Sequence, residues 1–290
     1  MNDVIQEKLK SYKCQTKEDE ENAIKEITQE VALYGFERAG LFEKAAFQGG
    51  TCLRIVHGLD RFSEDLDFAL RTPDPDFELG QYLEKVIETM NVYGYKIEVS
   101  GEDKADSNVK TRFLKDDSIK KLLTLEHKQD LRKKIQIKVE VDINPPGLAV
   151  CEPNYVDFPI DFMIMTHDMP SLLAGKCHAL LCRSYIKGRD WYDYLWYVSH
   201  GTVINLKMFQ EAINQIGPWE GKNISMTRPW LEKELEKRIR SLDWEEVKKD
   251  VLKFLRPDKK EALKLWTEDF FLKKTEKFVC TLQSEINMGN

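Results

Sequence analysis

Residues 134–143 alternate strictly: Ile135, Ile137, Val139, Val141 and Ile143 point one way, and Gln136, Lys138, Glu140 and Asp142 point the other. A period of two marks a half-buried β-strand, here closed by Pro145, Pro146 and Gly147. Such a strand requires a sheet around it. Further strand patterns lie at 44–48, 64–70, near 95–99 and 110–114, and as a strand or pair within 155–166. Helical spacing over 17–36 (Ala23, Ile24, Ile27, Val31, Leu33) predicts a long amphipathic helix, and 77–92 reads as another. Beyond Pro170 only helical patterns remain, over 171–183, 190–200, 206–216, 229–241, 243–255 and 257–283. Asp243 and Glu246 have capping-box spacing, and Pro257 suits a first helical turn. The expected class is α+β: a mixed sheet with flanking helices over residues 1–168, followed by an all-helical domain over 169–290.

A chain of 290 residues that is 32% charged and 42% apolar has enough apolar material for a folded core, which excludes wholesale disorder. No uncharged apolar run approaches the ~18 residues of a membrane span. The first twenty residues carry Asp3, Glu7, Lys8, Lys10 and Lys13 instead of a signal peptide's apolar stretch, so a cytoplasmic protein without membrane attachment is expected. Six cysteines without a C-x-x-C pair and five histidines without i, i+4 spacing predict reduced thiols and no zinc site. The net charge is −6, yet residues 110–138 hold ten basic side chains against four acidic ones. That local excess is either a solvated face or a contact for a phosphate backbone.

The run from Gln48 to Phe68 carries the chemistry. Gly49 and Gly50 break the first strand, and Thr51 is placed to cap the following helix. Bare backbone N–H groups at a helix start suit a triphosphate. Asp65 and Asp67, two apart on a strand, project from one face while Leu66 and Phe68 enter the core. Two such carboxylates can hold Mg²⁺, which takes one or two carboxylates together with phosphate oxygens and water. A third acid from another strand would complete a two-metal site, and Glu140 and Asp142 are both available. Arg61 and Ser63 flank the acids and are candidate phosphate contacts.

The order Gly49-Gly50-Thr51, Asp65-x-Asp67 and a later strand acid resembles the polymerase-beta-like nucleotidyltransferase superfamily. More narrowly, FQGGTCLRIVHGLDRFSEDLDF is similar to the first motif of the AbiEii/AbiGii toxin family of nucleotidyltransferases. Lys138-Val139-Glu140 resembles that family's second motif. SLLAGKCHALLCR (171–183) resembles its lysine-bearing helix, and KGRDWYDYLWYV (187–198) its fourth motif. The resemblance spans about residues 45–200 and departs at Gly175, where an acidic residue is common.

The resemblance implies the polymerase-beta-like fold and a Mg²⁺-dependent transfer of a nucleoside monophosphate from an NTP to an acceptor hydroxyl. It assigns Asp65, Asp67 and Glu140 to the metals, Lys176 to the phosphates, and Asp190 to orienting Lys176 or the acceptor. Glu140 is preferred to Asp142 on this ground alone, since alternation puts both on one face. It also implies a bacterial toxin with a tRNA 3′ end as acceptor and a separately encoded antitoxin. Rival readings are transfer to a protein hydroxyl and a non-catalytic nucleotide- or partner-binding module. Simpler local readings exist too. Asp190 and Asp193 have helix-capping spacing, Lys176 can snorkel from an amphipathic helix, and Trp191, Tyr192, Tyr194, Trp196 and Tyr197 suit core packing as well as base stacking.

Overall fold

The computed structural model describes residues 2–101, 107–127 and 129–286. It divides into two compact units, the first comprising 1–145 with 151–166 and the second 146–150 with 167–290.

In the first unit, helices α1 (Asn2–Ser11) and α2 (Lys17–Arg38) precede strand β1 (Ala45–Gln48), helix α3 (Gly49–His57), strand β2 (Asp65–Leu70) and helix α4 (Gly80–Val92). Strands β3 (Ile97–Ser100) and β4 (Val109–Asp116), the short helix α5 (Ile119–Leu122), and strands β5 (Ile135–Asp142), β6 (Cys151–Val156) and β7 (Phe162–His167) follow. The seven strands form one mixed sheet in the order β3-β4-β5-β2-β1-β7-β6. β5 is thus an interior strand, parallel to β2 and antiparallel to β4. Its alternation decides which face is covered. Ile135, Ile137, Val139 and Val141 are buried, as are Leu66 and Phe68 of β2 and Leu114 of β4, and Phe68 packs on Phe36 of α2. The opposite face carries Asp65, Asp67, Lys138, Glu140 and Asp142.

α2 corrects the sequence expectation of an amphipathic helix. It is enclosed through most of its circumference, with Asp19, Glu20, Glu26 and Glu30 buried beside its apolar residues. Thr16 caps it by accepting from the Asp19 N–H at 3.1 Å. Partners from elsewhere in the chain meet these acids and offset their burial, although Glu30 Oε2 stays buried without a hydrogen bond. Glu26 accepts from Arg54 Nε and from the Tyr12 hydroxyl, both at 2.8 Å, and Glu30 pairs with Lys8 at 3.1 Å. Glu20 accepts the backbone N–H of Glu126 at 2.7 Å. α1, for which the sequence reading has no element, supplies Lys8 and buries Ile5 and Leu9.

The second unit is helical: α6 (Met169–Cys182), α7 (Gly188–Ser199), α8 (Leu206–Gln215), α9 (Arg228–Arg240), α10 (Trp244–Leu252) and α11 (Glu268–Ile286). Asp243 caps α10, accepting from the N–H groups of Glu245 and Glu246. The continuous helix expected over 257–283 is broken. A 3-10 segment (Pro257–Leu265) ends at Trp266, and Thr267 then accepts from the Phe270 N–H at 3.2 Å. Burying Trp266 against Phe271, with ring centres 5.2 Å apart, holds that break. Trp191, Tyr194 and Tyr197 of α7 are buried in the same core. The Tyr194 hydroxyl lies 2.9 Å from Thr275 Oγ1, so these aromatics are packing residues.

His167, at the end of β7, is buried with no partner for Nδ1, and burial pushes its pKa from 6.5 down to about 4 against the opposing pull of Asp168. A folded-state pKa below the unfolded value gives stability that is complete above about pH 6.5 and lost as pH falls towards 4. The His167→Gln variant cannot charge. Across that window the wild type should lose up to about 3 kcal/mol more than His167→Gln in denaturant melts. Parallel pH profiles for the two proteins would refute this.

Candidate active site

Two glycines shape the first cluster. β1 ends at Gln48, and Gly49 opens α3 with φ +78, in the left-handed region that side chains disfavour. A Cβ at Gly49 would also run into the Asp67 carboxylate. At Gly50 a Cβ would crowd the Arg61 guanidinium and lie 3.1 Å from Ser63 Oγ. Arg61 and Ser63 therefore close over bare backbone at the start of a nine-residue helix. Arg61 is buried, and its Nη1 donates to Phe62 O at 2.8 Å. The loop carrying both residues is tied down on either side. Arg54 Nη1 donates to Leu59 O at 2.7 Å, Gln29 Nε2 to Ser63 O at 3.3 Å, and Lys25 pairs with Glu64 at 3.4 Å.

Thr51 does not cap this helix. The cap position is Gln48, which makes no side-chain bond, and Thr51 lies inside α3, buried, donating its hydroxyl to the backbone carbonyl of Asp65. Its role is to lash α3 to the strand of acids. Gly49→Ala combines a strained φ with the clash on Asp67. It should cost about 1–2 kcal/mol of stability and displace a carboxylate. The transfer that the sequence resemblance implies should then fall more than tenfold, whereas unchanged activity would show that the close approach is dispensable.

Register separates the two candidates for a third acid. Asp67 pairs with Glu140 and Asp65 with Lys138, whereas Asp142 lies opposite Ala69, beyond the D-x-D. Asp142 also accepts the Asn144 N–H at 3.0 Å, and burial raises its pKa. Glu140 is thus the register partner of Asp67, but its Oε2 sits 2.7 Å from Lys138 Nζ, and Thr111 Oγ1 is 3.4 Å from its Oε1. Among the described residues no three Asp, Glu, His or Cys side chains are gathered as a ready metal cage. Asp65 and Asp67, half-exposed on one face beside the bare helix start, nevertheless suit Mg²⁺ arriving with phosphate oxygens and water. Glu140 would join them on exchanging Lys138.

The second cluster lies within the helical unit. Lys176 of α6 places Nζ 2.8 Å from Asp190 Oδ1 and 2.8 Å from Asp193 Oδ2, and Arg183 pairs with the other oxygen of Asp190. Asp193 is fully buried and Asp190 nearly so. Burial alone would raise the Asp190 carboxyl, but Lys176, Arg183 and Lys187 outweigh it and hold the pKa at about 2. Neither aspartate caps α7, whose cap residue is Lys187. Lys176 accordingly is pinned between two carboxylates and does not snorkel. Asp193 is the residue that spacing alone misassigned to a helix start. Gly175 has open space where a side chain would stand.

The basic stretch 110–138 forms no single surface. Pairing puts Lys110 and Arg112 on the covered face of β4, opposite Val141 and Val139, while Lys115 falls on the other. Lys120 is buried, its amine 3.3 Å from Lys133 O, and burial lowers its pKa. Lys121, Arg132, Lys133 and Lys134 pair with Asp117, Asp130, Glu21 and Glu98. Lys128 lies outside the described residues.

A mixed sheet with a D-x-D strand beside a glycine-opened helix, and a helical unit after it, has the form of a nucleotidyltransferase. The sequence matches the family described as "Nucleotidyl transferase AbiEii toxin, Type IV TA system" over residues 31–273, and the protein belongs to that family. It is a nucleotidyltransferase. Among solved structures it is similar in fold to MenT4, a nucleotidyltransferase toxin from Mycobacterium tuberculosis H37Rv, with 15% identity, a TM-score of 0.52 and coverage of 97% of this chain and 99% of that one. JHP933 from Helicobacter pylori aligns at 17% identity and a TM-score of 0.47, covering 89% of this chain and 94% of that one. A search of curated proteins finds no match. No helix among the described residues is long and apolar enough to cross a membrane.

Proposed function

We propose that the protein transfers a nucleoside monophosphate from an NTP to the hydroxyl of an RNA acceptor, a tRNA 3′ end first among them, releasing pyrophosphate. The observation that carries this is the register of Asp67 with Glu140, with Asp65 on the same face and the Gly49-Gly50 helix start beside Asp67. Mg²⁺ bound there would offset charge on the attacking and leaving oxygens. Asp65 and Asp67 hold it. The α3 N–H groups, Arg61 and Ser63 grip the triphosphate. Glu140 would complete the metal site that activates the acceptor hydroxyl, whose oxygen attacks the α-phosphorus as its proton passes to solvent and the bond to pyrophosphate breaks. By the family motif alone Lys176 is assigned to phosphate charge and Asp190 to orienting Lys176, with which it pairs at 2.8 Å. Such transfers rest on positioning and electrostatics, so no covalent nucleophile is required.

Family membership supports a toxin working in the cytoplasm with a separately encoded antitoxin. Incubating the protein with each labelled NTP, Mg²⁺, total RNA and total protein tests the acceptor. The proposal expects label in RNA. Label confined to protein would replace RNA by a protein hydroxyl, and absence of label from both would point to a binding module.

A further inference from the structure

On the acid-bearing face of the sheet one aromatic ring, Phe113, stands among the polar side chains of β4 and β5. Phe113 pairs with Lys138, which pairs with Asp65, so the three form one row across the sheet. Thr111, Glu140 and Asp67 form the next row. Gln136 is exposed, and Thr111, Phe113, Lys115, Lys138, Glu140 and Asp142 are half-buried. A phenylalanine among polar neighbours gains little from burial there. Its ring makes no aromatic pair among the described residues, while the space where a Gly101 Cβ would stand lies 3.4 Å from Phe113 Cδ2. Gly101, just after β3, therefore flanks one edge of the ring, which stays part-exposed on the acid-bearing face.

Position identifies what the ring meets. The helix start proposed for the triphosphate lies on the β1 side of β2, whereas Phe113 lies beyond β5, on the far side of Glu140. With strands about 4.8 Å apart, Phe113 is one strand from the acid assigned to the acceptor and two from Asp65. Lys115 and Lys138 stand on the same face beside the ring, giving cations for a phosphate backbone next to a flat aromatic surface. That combination suits a nucleobase on a charged strand. We infer that Phe113 is a stacking platform for a nucleobase at the 3′ end of the RNA acceptor, placing its terminal hydroxyl near Glu140. The inference rests on the RNA reading above.

The test compares wild type with Phe113→Leu and Phe113→Trp, using a single-stranded RNA oligonucleotide with a free 3′ end, Mg²⁺ and labelled NTP. Leucine keeps an apolar side chain without a π-face, and tryptophan enlarges that face. Phe113→Leu should raise KM for RNA about tenfold, the order expected of one lost base–aromatic stack, with NTP binding and thermal stability unchanged. Phe113→Trp should match or improve on wild-type KM. A wild-type KM in Phe113→Leu, with RNA still labelled, would overturn the platform and leave the RNA reading standing. Loss of NTP binding in Phe113→Leu would overturn it by assigning the ring to the nucleotide. Wild-type label in protein alone would overturn both.

Discussion

Asp67→Asn should give a folded protein that transfers nucleotide at least roughly a thousandfold more slowly, because the Mg²⁺ proposed to sit on this carboxylate would offset charge that develops only in the transition state. The substitution keeps shape and removes charge. Asp67 is half-exposed on the open face, so the stability change should stay within about 0.5 kcal/mol. Asp65→Asn should behave alike. Raising Mg²⁺ should restore part of the rate to either variant, since the remaining carboxylate still recruits the ion with the triphosphate. Near-wild-type transfer in both variants would remove the pair from the metal site.

Asp193→Ala should have the largest effect on folding. Asp193 is fully buried with its carboxylate 2.8 Å from Lys176 Nζ. Removing one member of a buried ion pair costs up to about 3–5 kcal/mol, and Lys176 keeps Asp190 at 2.8 Å, so the loss should fall at the lower end. Lys176→Met should be similarly destabilised, because it removes the cation that both aspartates share. The double variant Lys176→Met/Asp193→Leu should recover much of that loss, since an apolar pair can replace a buried ion pair. Equilibrium unfolding of wild type, Lys176→Met, Asp193→Leu and the double variant gives the coupling directly, and additive losses would show that the pair acts as two separate sites. Asp190→Asn, conservative under a capping role, should be destabilised as well, with Lys176 and Arg183 losing a shared anion.

What could be read from sequence was local. β5 was legible because its alternation is unbroken over eight residues, and the shared face of Asp65 and Asp67 followed from the same period. The choice between Glu140 and Asp142 was not, since both obey that period. It depends on pairing with Asp67 across some seventy residues of chain, which only the fold supplies. Asp193 failed for a related reason: its spacing from Asp190 imitates a cap, and its partner sits on the preceding helix. The burial of the α2 acids was not legible because their partners, Lys8, Tyr12, Arg54 and the backbone at Glu126, lie on other segments of the chain. Thr51 was misplaced by a sound rule. Hydroxyl residues after Gly-Gly commonly cap, but Gly49 takes the left-handed turn itself and the helix begins earlier. The charge excess at 110–138 dissolved on pairing, because a strand sends alternate lysines to opposite faces and the loops bring acids to the rest.

The central claim is that the Asp65–Asp67 face moves a nucleoside monophosphate, and the position of a radiolabel tests it most directly. Wild type is incubated with Mg²⁺ and the RNA acceptor, once with NTP labelled on the α-phosphate and once on the γ-phosphate. Attack on the α-phosphorus puts α-label into RNA one for one with pyrophosphate released and leaves γ-label in that pyrophosphate, and Asp67→Asn abolishes both signals. Transfer of the γ-label to RNA, or α-label transfer that persists in Asp67→Asn, would contradict the account.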